Sequence, residues 1–506
     1  LDQAAACYRR AIRSTPYVPE LHNNLGHVLT GLRQLDEATA CIGKAIDLRP
    51  AFPQAHYNLG TALAEQGRLV EAAACYRIAI DLQPHIPEAH NSLGYALARQ
   101  GRLDEAVICY RRAIGLRANY PEAYNNLGHA LGQQGQLDGA IACYRTALGF
   151  RRNYQDAANN LGAALAEQGR LDEAIACYRG TIDLDPDFAE AHFNLALALL
   201  AQGDLAAGWQ EYEWRWRTPE GLTAQRIFAQ PQWRGEPAAG RTLLIHAEQG
   251  FGDTLQFCRY GTLAAASGLR VIMQVPRPLV RLLRRLPGVA LVIGPDEALP
   301  DFDLHCPMLS MPLAMRTTIE TIPSTAAYLH ADPDEVAAWR TRLAALEDPL
   351  EDYRPRIGLV WAGAARAGTT LAAVDRRRSM SLARLAPLLD LPGLHFFSLQ
   401  KDPATAPGLT DYMAEMEDFA DTAALIANLD LVISVDTAVA HLAAARGKPV
   451  WLLDRFDACW RWLTGRRDSP WYPTLRLYRQ PRPGDWESVL AEIARDLRSL
   501  TIPKAA

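Results

Sequence analysis

Three short stretches in the second half of the chain carry residue types suited to a ligand site, two of them to an anion. The turn Glu248-Gln249-Gly250-Phe251-Gly252-Asp253 sets two glycines beside a carboxylate, so a ligand can come close to the backbone while Asp253 faces it. Glycine can equally serve a positive φ in such a turn, and Asp253 can equally cap the next helix. In Asp436-Thr437-Ala438-Val439-Ala440-His441 the hydroxyl stands at the expected start of a helix, with His441 one turn in. The free amides and dipole of that helix suit a phosphate, although capping plus a packed histidine accounts for the same residues. The third stretch is Asp375-Arg376-Arg377-Arg378, at the end of a loop spanning 364–379. Arg376 and Arg378 offer planar guanidinium groups that grip phosphate oxygens in pairs; the alternative is a solvated basic loop. Gln400 and Lys401 end an expected strand at the edge of the cleft and are candidates for polar contacts to a bound ligand. Asp301-Phe302-Asp303 has the form of a metal-binding carboxylate pair, but it precedes a strand instead of following one, and no metal is expected there.

These stretches need strands behind them. After Pro219, strand-like runs alternate with helical ones, the pattern of parallel α/β sheets. One sheet is expected from strands Thr242–Ala247, Val271–Val275, Ala290–Ile293 and Leu304–Cys306, with helices from Thr254 and over Pro278–Leu286. A second is expected from Ile357–Ala362, His395–Leu399, Leu431–Val435 and Val450–Leu453, after a linking helix near Asp334–Leu346. The final helix, Trp486–Leu500, is long enough to cross back over the joint. The expected domains are therefore 240–330 and 356–506, two Rossmann-like halves joined by 331–355, with a cleft at the carboxyl ends of their strands. Residues 218–239 link them to a first domain over 1–217.

That first domain is periodic. Cys7, Cys41, Cys75, Cys109, Cys143 and Cys177 recur every 34 residues, which marks a repeat and not a disulfide framework. Each is read as a small buried hydrophobe on an amphipathic helix. Leu-Gly pairs at Gly26, Gly60, Gly94, Gly128 and Gly162 keep the same register, as do Ala38, Ala72, Ala106, Ala140 and Ala174, with Ile42, Tyr76, Tyr110, Tyr144 and Tyr178 four residues on. Small residues facing large ones let two helices approach. Gly67, Gly101, Gly135, Gly169 and Gly203, with Arg33 as the exception, mark the turns, and Pro16, Pro50, Pro84 and Pro186 end second helices. In period and pattern this resembles the tetratricopeptide repeat (TPR). Leu1-Asp2 aligns with Leu35-Asp36, so the chain opens in register with a second helix, and a first helix is expected ahead of it. The last unit, running into Trp209, Trp214 and Trp216, is read as a cap that docks the solenoid on the second half of the chain.

First-helix residues line the concave face of such a solenoid. Asn24, Asn58, Asn126, Asn160 and Asn194 share one position there, interrupted by Ser92. Amides can pair with the backbone of an extended peptide whatever its sequence, or can tie neighbouring repeats together. Superhelical TPR domains of protein O-linked sugar transferases carry an asparagine ladder at this position, and the resemblance implies peptide binding. His22, His56, His90 and His192, two residues earlier, are too far apart to share an ion and are read as packing residues.

Composition narrows the classes. At roughly 150 residues per domain, 506 residues imply about three domains. With 49% hydrophobic and 22% charged residues and a net charge of -5, nucleic acid is a poor partner, and no run of about 18 apolar residues is present to span a membrane. Cysteines outside the repeats, at Cys258, Cys306 and Cys459, show no CxxC spacing, so a reducing compartment, the cytoplasm, is expected. The chain starts at Leu1 and not Met, which leaves a targeting segment open.

The two turns together, on paired Rossmann-like halves, resemble the heptosyltransferase group of GT-B glycosyltransferases over roughly residues 240–500. That resemblance implies Asp253 as catalytic carboxylate, with the half over 240–330 on the acceptor side. It implies Asp436, Thr437 and His441 as the D-[ST]-G-x-x-H site for a nucleotide-sugar diphosphate in the half over 356–506, with Gly250 and Gly252 beside the donor. Ala438 departs from the motif's glycine, which puts the nucleotide's exact seat in doubt. Behind a TPR array such a domain is similar to bacterial protein and flagellin glycosyltransferases. The implied fold is an α-solenoid followed by a GT-B-like α/β region. The implied activity is metal-independent, inverting transfer of a sugar to Ser or Thr of a polypeptide, flagellin among the acceptors, with the nucleotide sugar as substrate and no cofactor. Two alternatives stay open: a TPR scaffold with a catalytically silent transferase domain, and an enzyme acting on a glycolipid or lipopolysaccharide core.

Overall fold

The computed structural model describes residues 1–325, 327–346, 353–363, 375–402, 405–457 and 459–501. The chain divides into two compact units, Leu1–Phe188 and Ala189–Ala506.

The first unit is helical. After the opening helix Asp2–Ser14, first helices Pro19–Gly31, Pro53–Glu65, Pro87–Arg99, Pro121–Gln133 and Gln155–Glu167 alternate with second helices Leu35–Leu48, Leu69–Leu82, Leu103–Leu116, Leu137–Phe150 and Leu171–Leu184. Proline begins four of the first helices, where its missing N–H costs no hydrogen bond. The turns need a left-handed residue: Gly67, Gly101 and Gly135 stand at φ 78°, and Arg33 accepts the same region at 62°. Within a pair the contact is glycine against ring. A Cβ added at Gly60, Gly94, Gly128 or Gly162 would lie 2.5–2.8 Å from the tyrosine of the second helix. The repeat histidines pack, as expected, and also bond. His22, His56 and His90 set Nε2 2.8–2.9 Å from the carbonyl oxygens of Pro16, Pro50 and Pro84, pinning each loop between repeats. The cysteines differ from expectation: Cys7 is exposed and Cys41, Cys75, Cys109, Cys143 and Cys177 are only half-buried, because the next residue, Ile42 in one repeat and Tyr76, Tyr110, Tyr144 or Tyr178 in those that follow, fills the groove instead of the thiol.

The second unit begins with a further helix pair, Ala189–Gln202 and Leu205–Tyr212, and a 3-10 turn, Glu213–Arg217. The compact division thus falls before this pair and not at 217. Trp209, 1% exposed, packs edge-on against Trp460 at 5.3 Å and Phe257 at 6.0 Å, which draws the pair into the α/β body. Strands β1 (Thr242–His246), β2 (Arg270–Gln274), β3 (Val289–Ile293) and β4 (Leu304–Pro307) form a parallel sheet in the order β3-β2-β1-β4. The second sheet is β5 (Arg356–Val360), β6 (His395–Ser398), β7 (Leu409–Asp411), β8 (Leu431–Val435), β9 (Val450–Asp454) and β10 (Leu475–Arg479). It is also parallel, in the order β10-β9-β8-β5-β6-β7. Strands β7 and β10 were not expected; three residues and a Leu-Arg-Leu-Tyr-Arg run on a sheet edge carry little pattern. The last helix, Trp486–Thr501, buries Val489, Leu490, Ile493 and Leu497 in the core of the six-stranded sheet with Ile357, Leu359 and Ile433. The order of connection reverses between β1 and β4 and between β5 and β8, so crevices for ligands are expected at the carboxyl ends of those pairs.

Candidate functional site

The chain after β1 turns at Gly250 into the helix Phe251–Phe257. Gly250 has φ -69° and neither it nor Gly252 is left-handed, so backbone conformation is not why glycine stands there. Space is the reason at Gly252. A Cβ on it would lie 3.0 Å from His441 Cδ2 and 3.7 Å from Ala438 Cα, so the turn after β1 and the helix Ala438–Ala445 after β8 meet face to face. Asp253 does not cap its helix, which has no side-chain cap. Its Oδ1 instead accepts a hydrogen bond from Nη2 of Arg461, and both side chains are largely buried.

Thr437 begins the Ala438–Ala445 helix without its hydroxyl bonding the leading amides; that hydroxyl pairs with Ser434 Oγ at 3.0 Å. The expected side-chain cap is therefore absent, and the amides at the helix start are left to other partners. Arg378 has protein partners in this structure: Nη1 donates to the Asp436 carbonyl at 2.8 Å and Nη2 lies 2.7 Å from Asp375 Oδ1. It braces the start of the motif across the β5–β8 gap. Arg376 is exposed and borders a cavity of about 600 Å3 with Arg377, Arg384, Gln480 and Trp486. Gln400 is buried, its Oε1 accepting from the Trp361 and Ala362 amides at 3.3 and 3.1 Å, so its carbonyl end holds the end of β5. Lys401 is exposed. Most of the basic loop, 364–374, lies outside the described residues. In the Asp301-Phe302-Asp303 string, Asp303 Oδ2 accepts from the Thr242 amide at 2.7 Å, a strand-edge bond.

His441 lies at the centre, 3% exposed. Its Nδ1 is 2.9 Å from the Tyr472 hydroxyl, its ring stacks on Trp462 at 5.0 Å, and Nε2 is 3.8 Å from Asp436 Oδ1. Burial, opposed by the Asp436 carboxylate, lowers its pKa to about 4, so at neutral pH it is an uncharged hydrogen-bonding group. The unfolded chain takes up this proton below about 6.5 and the folded one only near 4, so His441 lowers stability as pH falls through that window. Between pH 7 and 5 the contribution is about 2 kcal/mol. Glu248, buried and pushed up to about 7, works in the opposite direction. The readout is therefore the difference: His441→Gln should show a shallower loss of melting temperature on acidification than the wild type. Parallel curves would remove His441 as the cause.

Arg461, Trp462, Tyr472 and Arg259 complete the site and were not foreseen. Arg259 donates to the carbonyls of Pro323 and Trp471 at 3.0 and 2.9 Å and to the Tyr328 hydroxyl at 2.7 Å, tying the helix region after β1 to the segment between β9 and β10. The available signal was the aromatic density of Trp460-Arg461-Trp462 and Trp471-Tyr472 in chain without helical or strand period.

In the first unit Asn58, Asn126 and Asn160 each donate one Nδ2 hydrogen to the repeat before, to Oδ1 of Asn23, Asn91 and Asn125 at 2.9–3.0 Å. Repeat-to-repeat ties thus exist. An amide has a second hydrogen and an oxygen, and at Asn58 the oxygen is also taken, by Gln54 at 3.0 Å. Asn24 is exposed and Asn194 half-buried.

Comparison with known proteins agrees with both halves of this reading at a coarse level. Residues 94–135 and 162–203 match the family described as TPR repeat, and 23–85 and 121–154 match families described as tetratricopeptide repeat. Residues 411–453, from β7 through β9, match glycosyltransferase family 9 (heptosyltransferase). Protein FlbA of Caulobacter vibrioides is 28% identical over 334 residues, covering 58% of this chain and 52% of its own length. The chain thus spans about half the length of this curated relative. Among solved structures, YrrB, described as a TPR protein with an unusual peptide-binding site, is 24% identical over 37% of this chain and 96% of its own, with a TM-score of 0.32. A thermophilic TPR protein of Thermus thermophilus is likewise 24% identical, over 36% of this chain and 100% of its own, with a TM-score of 0.32. Among the described residues no helix is long and apolar enough to cross a membrane. The chain is a TPR-containing, glycosyltransferase-like protein.

Proposed function

We propose that this chain is a protein O-glycosyltransferase, moving a sugar from a nucleotide-activated donor to Ser or Thr of a polypeptide held by the repeats. The observation that carries the proposal is the meeting of Gly252 with His441 and Ala438, which sets a carboxylate beside an uncapped helix start. In the reaction the acceptor hydroxyl oxygen attacks the anomeric carbon and its proton passes to Asp253. The bond from that carbon to the phosphate oxygen breaks, and the diphosphate leaves with the electron pair. Amides at the start of the Ala438–Ala445 helix offset the developing charge, with Arg378 bracing Asp436 and Arg376 as a further cation for the diphosphate. Transfer in one displacement inverts the anomeric centre and calls for no metal. Asparagine amides of the first unit, where not spent between repeats, address the acceptor backbone; flagellin is one acceptor class of similar enzymes, and the setting is the cytoplasm.

A thermal-shift panel of UDP, ADP, GDP, CMP and CDP tests the donor half. Ligand at about 100 times its Kd stabilises by roughly 2.7 kcal/mol. One nucleotide should raise the melting temperature of the wild type and less so that of Ala438→Pro. That substitution removes one amide at the first helical position, where proline is tolerated after the extended Thr437 (φ -140°, ψ 168°). No shift with any nucleotide would favour the silent scaffold.

A further inference from the structure

The two oxygens of Asp253 stand in different surroundings. Oδ1 is bonded to Arg461. Oδ2 lies 3.6 Å from where a Cβ on Gly250 would sit, and among the described residues beyond its two chain neighbours that Cβ would meet no other heavy atom within 4 Å. One oxygen is therefore held by Arg461, while the other faces the position that a side chain on Gly250 would take. Gly250 is extended (φ -69°, ψ 173°), a conformation any residue adopts, so its missing side chain matters for room alone.

Arg461 is itself fixed on three sides. Its guanidinium lies 4.3 Å over the Trp460 ring, Nη1 is 3.1 Å from Cys459 Sγ, and Nη2 is on Asp253. Trp460 in turn packs edge-on against Trp209. A buried carboxylate on a short side chain gains a single orientation from such a partner, and a bond to Oδ1 fixes where the lone pairs of Oδ2 point.

Resting on the transferase reading above, we infer that Arg461 is the positioning residue for Asp253: it holds Oδ1 so that Oδ2, in the space above Gly250, receives the proton of the acceptor hydroxyl. Gly250 then sets how large a group can reach that oxygen. Water fits past an added methyl more readily than the hydroxyl of a polypeptide does, so substitution there separates transfer from donor hydrolysis.

The test uses the full chain with UDP-, GDP-, ADP- and CMP-linked sugars, following nucleotide release with and without acceptor protein, and the melting shift given by the matching free nucleotide. Arg461→Met should lower turnover about 100-fold, the cost of a misplaced reacting group, with the nucleotide-induced shift unchanged. Arg461→Lys, which keeps the charge but not the planar fork, should recover part of it. Gly250→Ala should lower the ratio of transfer to hydrolysis. Turnover of Arg461→Met within twofold of wild type, with Asp253→Asn inactive, overturns the inference and spares the transferase reading. Should Arg461→Met fail to fold, an unchanged transfer-to-hydrolysis ratio in Gly250→Ala overturns it instead. A wild type that turns over none of these donors removes the transferase reading, and this inference with it.

Discussion

Asp253→Asn should lower turnover about 100- to 10,000-fold, the usual contribution of a general base, while nucleotide affinity changes little. Asparagine has nearly the shape of aspartate, and its Oδ1 can still accept from Arg461, so the site keeps its form. What it loses is the capacity to take a proton at Oδ2. Asp253→Ala is the poorer experiment, because it leaves the buried Arg461 charge without a partner and mixes a folding defect into the rate. Steady-state turnover at saturating donor, beside a melting curve, separates the two effects. Activity retained in Asp253→Asn would take the base role from this residue.

The largest expected loss of stability lies elsewhere, at Arg215. Its Nη1 is 2.6 Å from Glu213 Oε1, and its Nη2 is 2.9 Å from Glu248 Oε1 and 2.8 Å from Ser310 Oγ. Side-chain exposure is 7% for Arg215 and 6% for Glu248, so the pair is desolvated. Removing one partner of such a pair costs about 3–5 kcal/mol, because the other charge stays buried. Arg215→Met should therefore lower the denaturation midpoint of the α/β unit steeply at pH 8. Burial already pushes Glu248 up to about 7, so in the variant it takes a proton readily, and the loss should be smaller at pH 6. Adding Glu248→Gln to Arg215→Met should restore part of the stability. Equal losses at both pH values, or none, would show that the pair does not carry this load.

Sequence pattern was informative where neighbours in the chain are neighbours in space. The 34-residue register yields the glycine-against-tyrosine contacts of Gly60 with Tyr76 and Gly94 with Tyr110, since both partners belong to one helix pair. Eight of the ten strands among the described residues carry enough apolar run to be read, as Leu431–Val435 does. The two motif turns and their meeting follow from where parallel strands end. The partners of the motif residues did not follow. Arg461 reaches Asp253 across 208 positions, and Arg259 reaches Trp471 across 212, distances over which a single sequence has no period to show. Local rules also misassigned Asp253 and Thr437 as candidate caps, because a hydroxyl or carboxylate at a helix start is free to bond elsewhere when a stronger or nearer partner is present.

The break between Phe188 and Ala189 also bears on how such a molecule can be recombined. The pair Ala189–Gln202 and Leu205–Tyr212 keeps the repeat's helices, yet through Trp209, and through Arg215 in the turn that follows, it is part of the body that carries Asp253. A chimera joined after residue 217 would strip that body of Trp209 and Arg215, whereas one joined ahead of Ala189 keeps both in place. The repeats ahead of Ala189 can thus be varied in number without touching Trp209 or Arg215, and the final pair belongs with the half it packs on.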